Sequence, residues 1–465
     1  MVRAGSEVLG DATAPARTVA ASPARRRPAL LVPELVVAVT GGVAAIALVL
    51  ARAVLYGDGV VYLTRMLVTD DPMAPHWRVG VAPLQWPAIL VSRVSDSTMV
   101  LGAVMTAGYV AVTLAALVLC WAATRRRRTL FLFAALGLGF LAAPIALYQI
   151  SEARLVATLA WPLLLLVVTG PSRWRFVAGV LVTVAMFATH PEAVVLCGAV
   201  GFVALLHALA RRTDRAWFVG WGVGLVAASL VRYTIVTDKY DSDASSMKAF
   251  RNLMDHTDGL VVQALVLALV ALVLLVAHQV AARHPGRVAT ILGWGAVAAG
   301  AAGGVRCLQL AFHESAWATT FNARTLYPLL VAVAVVVVGF ATLGLRGRSA
   351  SPTRMTSALV AALLVVGCVA TIVTARGWSQ TQAATRQTMQ PASGCVWPGQ
   401  LIGAHASIAN WTVGTLSLVV QGRHGHAVIT GASCPTVLQP AGVVLPYQLP
   451  IPYTGGWVDL TKLRR

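Results

Sequence analysis

The sequence predicts an all-α polytopic membrane protein, with about eleven transmembrane helices and a small β-rich extracytoplasmic domain at the C-terminus. Three observations predict it. Of 465 residues, 58% are hydrophobic and only 11% charged, against about 25% charged in an ordinary soluble domain. The mean hydropathy is +0.75, so the chain has too little polar surface to cover itself in water. The apolar runs are continuous and long, and they do not alternate with the period of two that a transmembrane β-barrel requires.

Residues 1–28 are rich in Ala, Pro, Ser and Arg and end in Arg25-Arg26-Arg27-Pro28. This composition reads as a disordered basic cytoplasmic tail. The apolar run from Leu30 to Leu55 is too long for the core of a signal peptide, and no small-residue cleavage site follows it. Further apolar runs lie near 98–123, 129–148, 153–170, 175–189, 191–210, 216–236, 260–281, 288–310, 326–345 and 355–375. Together they define a transmembrane helical domain over 29–375. The runs at 175–189 and 153–170 sit near the lower limit of ~17 residues for a span.

The net charge of +19 would suggest nucleic acid in a soluble protein. Here the arginines fall on alternate connections. One set carries Arg125 to Arg128, Arg173 and Arg175, Arg211, Arg212 and Arg215, Arg283 and Arg287, then Arg346, Arg348 and Arg354. The other carries Asp58, Glu152, His190-Pro191-Glu192, the acids of 238–258, and His313-Glu314. This is the positive-inside pattern. It places the N-terminus in the cytoplasm and, with an odd number of spans, the C-terminus outside, in a plasma (inner) membrane. No basic stripe is interleaved with aromatics, so nucleic acid is not expected as a partner; the lipid bilayer is.

Residues 376–465 change in character. Short β-prone stretches, Ser417 to Val420 and Ala427 to Thr430, predict the β-rich domain. Cys395 and Cys434 are the two cysteines of this region and the plausible disulfide pair. Cys120, Cys197, Cys307 and Cys368 lie inside apolar runs and read as packing residues. No metal-binding spacing, Walker loop, dinucleotide fingerprint or nucleophile elbow is present.

The outer connections hold the residues with chemistry. Asp58 stands between Gly57 and Gly59 and reads either as a general base or as a turn residue ending a helix. The loop that follows carries Asp70-Asp71, His76-Trp77-Arg78 and Pro83 to Pro87, which fits an interfacial segment with Arg78 as a phosphate ligand or as a head-group contact. Glu152 and Glu192 each stand beside a cation, Arg154 and His190, at a helix end close to hydrocarbon, where charge is costly unless paired or functional. Capping of helix N-termini is the plainer reading of both acids. His313 and Arg324 flank the next outer connection, where Arg324 reads as a pyrophosphate clamp or an ordinary interfacial arginine.

The stretch Asp58-Gly59-Val60-Val61-Tyr62 at the end of the first run, followed by Arg78 and Pro83-Leu84, resembles the first outer loop of the GT-C superfamily of integral-membrane glycosyltransferases. In motif the resemblance covers about the first 90 residues, and beyond them only the topology. It implies transfer of a sugar from a polyprenyl-phosphate donor to a glycan or protein acceptor on the outer face. By it Asp58 is the catalytic carboxylate, and the expected substrate-binding residues are Tyr62, Arg78, Glu152, His190, Glu192, His313 and Arg324. The paired acids found in several branches are absent at 58–59, with Asp70-Asp71 as a potential replacement. Cofactor use is therefore open, a divalent metal ion included. The alternative is a non-enzymatic membrane protein: a transporter, flippase or cell-envelope assembly factor. Mid-span ionisable residues are few, which favours chemistry at the outer surface over transport. One cavity lined by Asp58, Glu152, His190, Glu192, His313 and Arg324 is the arrangement this reading requires.

Overall fold

The structure, a computed structural model, describes residues 32–74, 78–125, 127–149, 151–235, 259–282, 286–313, 317, 320–345, 351–391, 394–396, 412–421, 427–429, 448–450 and 457–459. The first helix, α1 (Val32–Leu50), leads through a short turn to α2 (Asp58–Thr69). After α3 (Ala82–Ser92) come α4 (Thr98–Thr124) and α5 (Arg128–Leu136). Next are α6 (Glu152–Val168), α7 (Arg173–Thr189), α8 (Ala193–Ala210) and α9 (Arg215–Thr234). The last long helices are α10 (Gly259–Ala281), α11 (Arg287–Phe312), α12 (Thr320–Gly344) and α13 (Arg354–Met389).

Eight of these, α1, α4 and α8 to α13, are long and apolar enough to cross a membrane. The chain is thus a helical multi-pass membrane protein, and the count falls short of the eleven expected. The three remaining runs differ for physical reasons. The run at 129–148 does not stay α-helical. It passes from α5 into a π-helical turn at Gly137–Leu141 and then a 3-10 turn at Ala143–Ile145, where Pro144 has no N–H to continue the ladder. The helices α6 and α7 each have 17 residues, about 25 Å at 1.5 Å per residue.

Short as it is, α6 is the centre of the bundle. Every residue from Glu152 to Val168 except Leu159 is buried. A helix that is apolar all round either faces lipid or is enclosed by other helices, and here its neighbours enclose it. The sleeve is made by α4, α7, α8 and α12. Outside it, α8 pairs with α9 and α10 with α11, while α13 lies against α1 and α11.

The start of α13 is capped by Thr353, whose Oγ1 accepts from the N–H of Thr356 at 3.0 Å. Gln279 of α10 locks this cap. Its Oε1 accepts from the Thr353 N–H at 3.1 Å and from Thr356 Oγ1 at 2.9 Å, and its Nε2 donates to the Ser351 carbonyl at 3.0 Å. With 36 residues, α13 is about 54 Å long, well beyond the ~30 Å of hydrocarbon. The expected boundary at 376 is therefore not a break: the helix runs on to Met389. Along this extension Gln382 donates to the Ala51 carbonyl at 2.8 Å.

The described residues of the C-terminal region do not support the β-rich domain expected. Among the described residues it holds four strands of three residues each, paired as β1 (Gly394–Val396) with β2 (Ala427–Ile429) and β3 (Gln448–Pro450) with β4 (Trp457–Asp459). The stretch Ser417 to Val420 is helical, within α14 (Val413–Gln421). Leu416, Val419 and Val420 are buried, an i, i+3, i+4 set that faces one side of a helix. This helix lies against α2 and α13, and Thr98 of α4 donates to the Val419 carbonyl at 2.6 Å. The Cys395 side chain, Cys434 and the tail 1–28 lie outside the described residues. Cys120, Cys197 and Cys307 are buried free thiols, and Cys368 is half-buried.

Candidate functional site

The turn that leads into α2 is shaped by Gly57. Its φ of 66° lies in the left-handed region, which side chains disfavour. A Cβ there would also stand 3.3 Å from the Tyr148 ring. Aromatic groups fix this turn from outside. Tyr56 meets Tyr148 edge-on at 5.0 Å and Trp378 of α13 at 5.1 Å, and its hydroxyl donates to the Trp317 carbonyl at 2.7 Å. The helix α2 then starts at Asp58, where the N-terminal end of the helix dipole favours a carboxylate. Asp58 is half-buried.

Tyr62 follows four residues on, so it stands above Asp58 on the same face of α2. Its hydroxyl donates to Glu152 Oε1 at 2.5 Å. Glu152 is the first residue of the enclosed helix α6 and is only 3% exposed. Its second oxygen, Oε2, lies 3.6 Å from Arg78 Nη1. A buried carboxylate needs such partners, because desolvation of an unpaired charge costs several kcal/mol. Burial, then the charge of Glu152, then that of Asp58, push the Tyr62 phenol well above its ordinary value. Tyr62 therefore keeps its proton and acts as a fixed donor.

Arg78 is placed by the 3-10 turn Val79–Val81 that follows it. That turn packs on the end of α7 through Gly80, where a Cβ would stand 2.4 Å from Thr189 Oγ1. Next along the chain, His190 Nδ1 lies 3.7 Å from Glu192 Oε2 and accepts from the Glu192 N–H at 3.2 Å. The segment after α2 is pinned by Gln85 of α3. This fully buried amide accepts from the Met73 N–H at 2.8 Å and donates to the Met73 carbonyl at 2.7 Å. Tyr109 of α4, also fully buried, lies beside Glu152 and Gln85.

The expected constellation is thus brought together in part. Tyr62, Arg78 and Glu152 meet, with Asp58 one turn below Tyr62. His190 and Glu192 pair with each other behind the turn that bears Arg78. His313 is an exposed residue at the end of α11, and among the described side chains of the set it contacts none of the others. Arg324 belongs to α12, but its side chain lies outside the described residues, as does His76. Sequence reasoning passed over Gln85 and Tyr109 as site-builders. A hydrogen-bonding side chain within an apolar segment was the available signal.

Arg154 leaves α6 two residues after Glu152, about 200° around the helix at 100° per residue. It is buried, and its Nη1 donates to the carbonyls of Ile145 and Ala146 at 2.8 and 2.9 Å. With Gln149 it closes a cleft of about 70 Å³ whose other walls come from α1, α4, α13 and the α5 region from Ala135 to Ala146. Its partners are therefore separate from the cluster around Glu152. Among the described residues no three His, Cys, Asp or Glu side chains converge in a way that would hold a metal ion.

Chemically, the cluster combines a half-buried carboxylate at a helix start, a guanidinium and a protonated phenol, with a buried glutamate tying the last two together. Comparison with known proteins finds no family model, no curated protein and no solved structure that matches this chain.

Proposed function

We propose that this protein is a membrane glycosyltransferase of the GT-C type, which transfers a sugar from a polyprenyl-phosphate donor at the membrane face bearing Asp58. One observation carries the reading: residues from two separate connections, Tyr62 and Arg78 from the first and Glu152 from the second, meet above Asp58 at one end of the bundle. Asp58 is the half-buried acid of the group and takes the role of general base. It accepts the proton of the acceptor hydroxyl as that oxygen bonds to the anomeric carbon. The bond from the anomeric carbon to the phosphate oxygen breaks, and the polyprenyl phosphate departs with its negative charge facing Arg78. Glu152 is a positioning residue in this scheme, holding Arg78 and Tyr62. The acceptor is a glycan or a protein.

Orientation follows the arginine pattern. The ends of the bundle with Arg125 to Arg128, Arg173 and Arg211 to Arg215 face the cytoplasm, and the Asp58 end and the C-terminal region face outward. The short helices α6 and the α5 region complete the eleven crossings together with α7, shielded from lipid wherever they fall short of its thickness.

The test is sugar transfer from a polyprenyl-phosphate sugar to membrane acceptors, with expression matched. Asp58→Asn lowers the rate by about 10²–10⁴-fold, the usual contribution of a general base. A wild-type rate in that variant makes Asp58 a turn residue and removes the centre of the proposal.

A further inference from the structure

The far end of α6 carries a second concentration of chemistry. A cavity of about 680 Å³ opens there, lined by Ala122, Ala123, Arg125, Arg127, Thr169, Trp174 and Arg175. Three of its seven wall residues are arginines, and none is acidic. Glu34, which faces Arg128 at 3.4 Å, and Asp214 at the start of α9 are carboxylates of this end, and neither is part of the wall.

The arginines divide the work. Arg175 is structural: its Nη1 donates to the carbonyls of Thr169 and Gly170, both at 3.2 Å, and its Nη2 to the Ala123 carbonyl at 3.4 Å. It thereby ties the ends of α4 and α6 together, as cations at helix C-termini do. Arg125 is exposed, with its guanidinium 4.5 Å above the Trp121 ring, and Arg127 is half-buried beside it. Two helices also begin at this wall. The N-cap residue Ser172 of α7 makes no side-chain cap, so the N–H groups of Arg173 and Trp174 at the start of that helix point to another acceptor. Guanidiniums and helix N-termini favour the same ligand, an oxyanion. Trp121 and Trp174 mark the depth as the boundary between hydrocarbon and head groups.

We infer that this cavity binds a phosphate group through Arg125, Arg127 and the start of α7, the phosphate of an anionic phospholipid head group being the form present at that depth. The inference does not depend on the catalytic reading, since it concerns the opposite end of α6.

The test uses the full-length protein, delipidated and offered phosphatidylglycerol, phosphatidylcholine or inorganic phosphate, with retained ligand read by native mass spectrometry. Both lipids carry the phosphodiester, but the choline cation of phosphatidylcholine is repelled by the arginines, so wild type retains phosphatidylglycerol over phosphatidylcholine by about tenfold. Arg125→Gln with Arg127→Gln loses that preference, and Arg125→Lys with Arg127→Lys keeps part of it. Arg212→Gln with Arg215→Gln removes the same charge from an exposed connection and leaves the preference intact. Retention of inorganic phosphate in place of the lipid, lost in the same Gln variant, supports the phosphate site and assigns it a soluble source. Equal retention of the two lipids by wild type without phosphate binding overturns the inference. So does an equal loss in the Arg212 and Arg215 control.

Discussion

Gly80 and Thr189 touch so closely that the turn bearing Arg78 and the end of α7 act as one piece. A Cβ on Gly80 would lie 2.4 Å from Thr189 Oγ1 and 3.0 Å from the Ala188 carbonyl carbon and the Thr189 nitrogen. Gly80→Ala must therefore push the turn off α7 and carry Arg78 away from Glu152. The expected cost is about 1–3 kcal/mol, typical of overpacking, read as a lowered melting temperature in detergent. Adding Thr189→Ala relieves the contact with Oγ1 but not the contacts with backbone, so the double variant recovers only part of the loss.

Tyr62→Phe removes the donor to Glu152 Oε1 and leaves a buried carboxylate oxygen short of a partner. The expected cost is about 1–3 kcal/mol. Combining it with Glu152→Gln should cost less than the two losses summed, because both changes act on one interaction. The pH dependence has a definite sign. The Tyr62 phenol is raised above its ordinary value of 10.0, so its contribution is complete below that pH and fades as pH climbs above it, where the unfolded chain ionises first. Thermal denaturation in strongly alkaline buffer should therefore hurt wild type more than Tyr62→Phe.

Gln279→Leu keeps the bulk of the side chain but removes one acceptor and one donor from the cap of α13. The Thr353 N–H, Thr356 hydroxyl and Ser351 carbonyl lose their partner together. A loss of about 1–3 kcal/mol is expected, concentrated at the start of α13. Limited proteolysis should show faster cleavage between Ser351 and Arg354 than in wild type, with the rest of the digestion pattern unchanged.

Topology has its own measurement. Arg212 follows the end of α8 remote from Gly80, and Gln380 lies on the extension of α13 near Tyr56. Cysteines introduced at the two positions should react with an impermeant maleimide from opposite sides of the membrane, Gln380→Cys from outside. Labelling of both from one side would reject the orientation.

The sequence announces most of the helices and little of their rank. Each long helix answers to an apolar run, since twenty apolar residues admit few alternatives. The central place of α6 was hidden because the residues from Leu155 to Val168 resemble those of any lipid-facing span. Enclosure depends on neighbours, not on composition. Glu152, Tyr62 and Arg78 were readable as isolated polar residues near helix ends, but their meeting depends on the close approach of Gly80 to Thr189, which no spacing encodes. His313 was read into the same group from its position between spans, whereas the structure leaves it exposed at the end of α11. The Ser417 to Val420 stretch was misread because Val-Val pairs favour strands, while the Leu416, Val419 and Val420 spacing already had the helical period.

The enclosure of α6 also bears on how the protein is made. The apolar body of α6 could rest in lipid alone, but Glu152 and Arg154 at its start would there lack the partners that the bundle gives them. Its sleeve is supplied in instalments, by α4 before it, by α7 and α8 just after it, and by α12 more than 150 residues downstream. During synthesis α6 must therefore wait in a half-built shelter until α12 emerges. Chains that stall before Thr320 would present the quality-control machinery of the membrane with an open, polar-tipped seam.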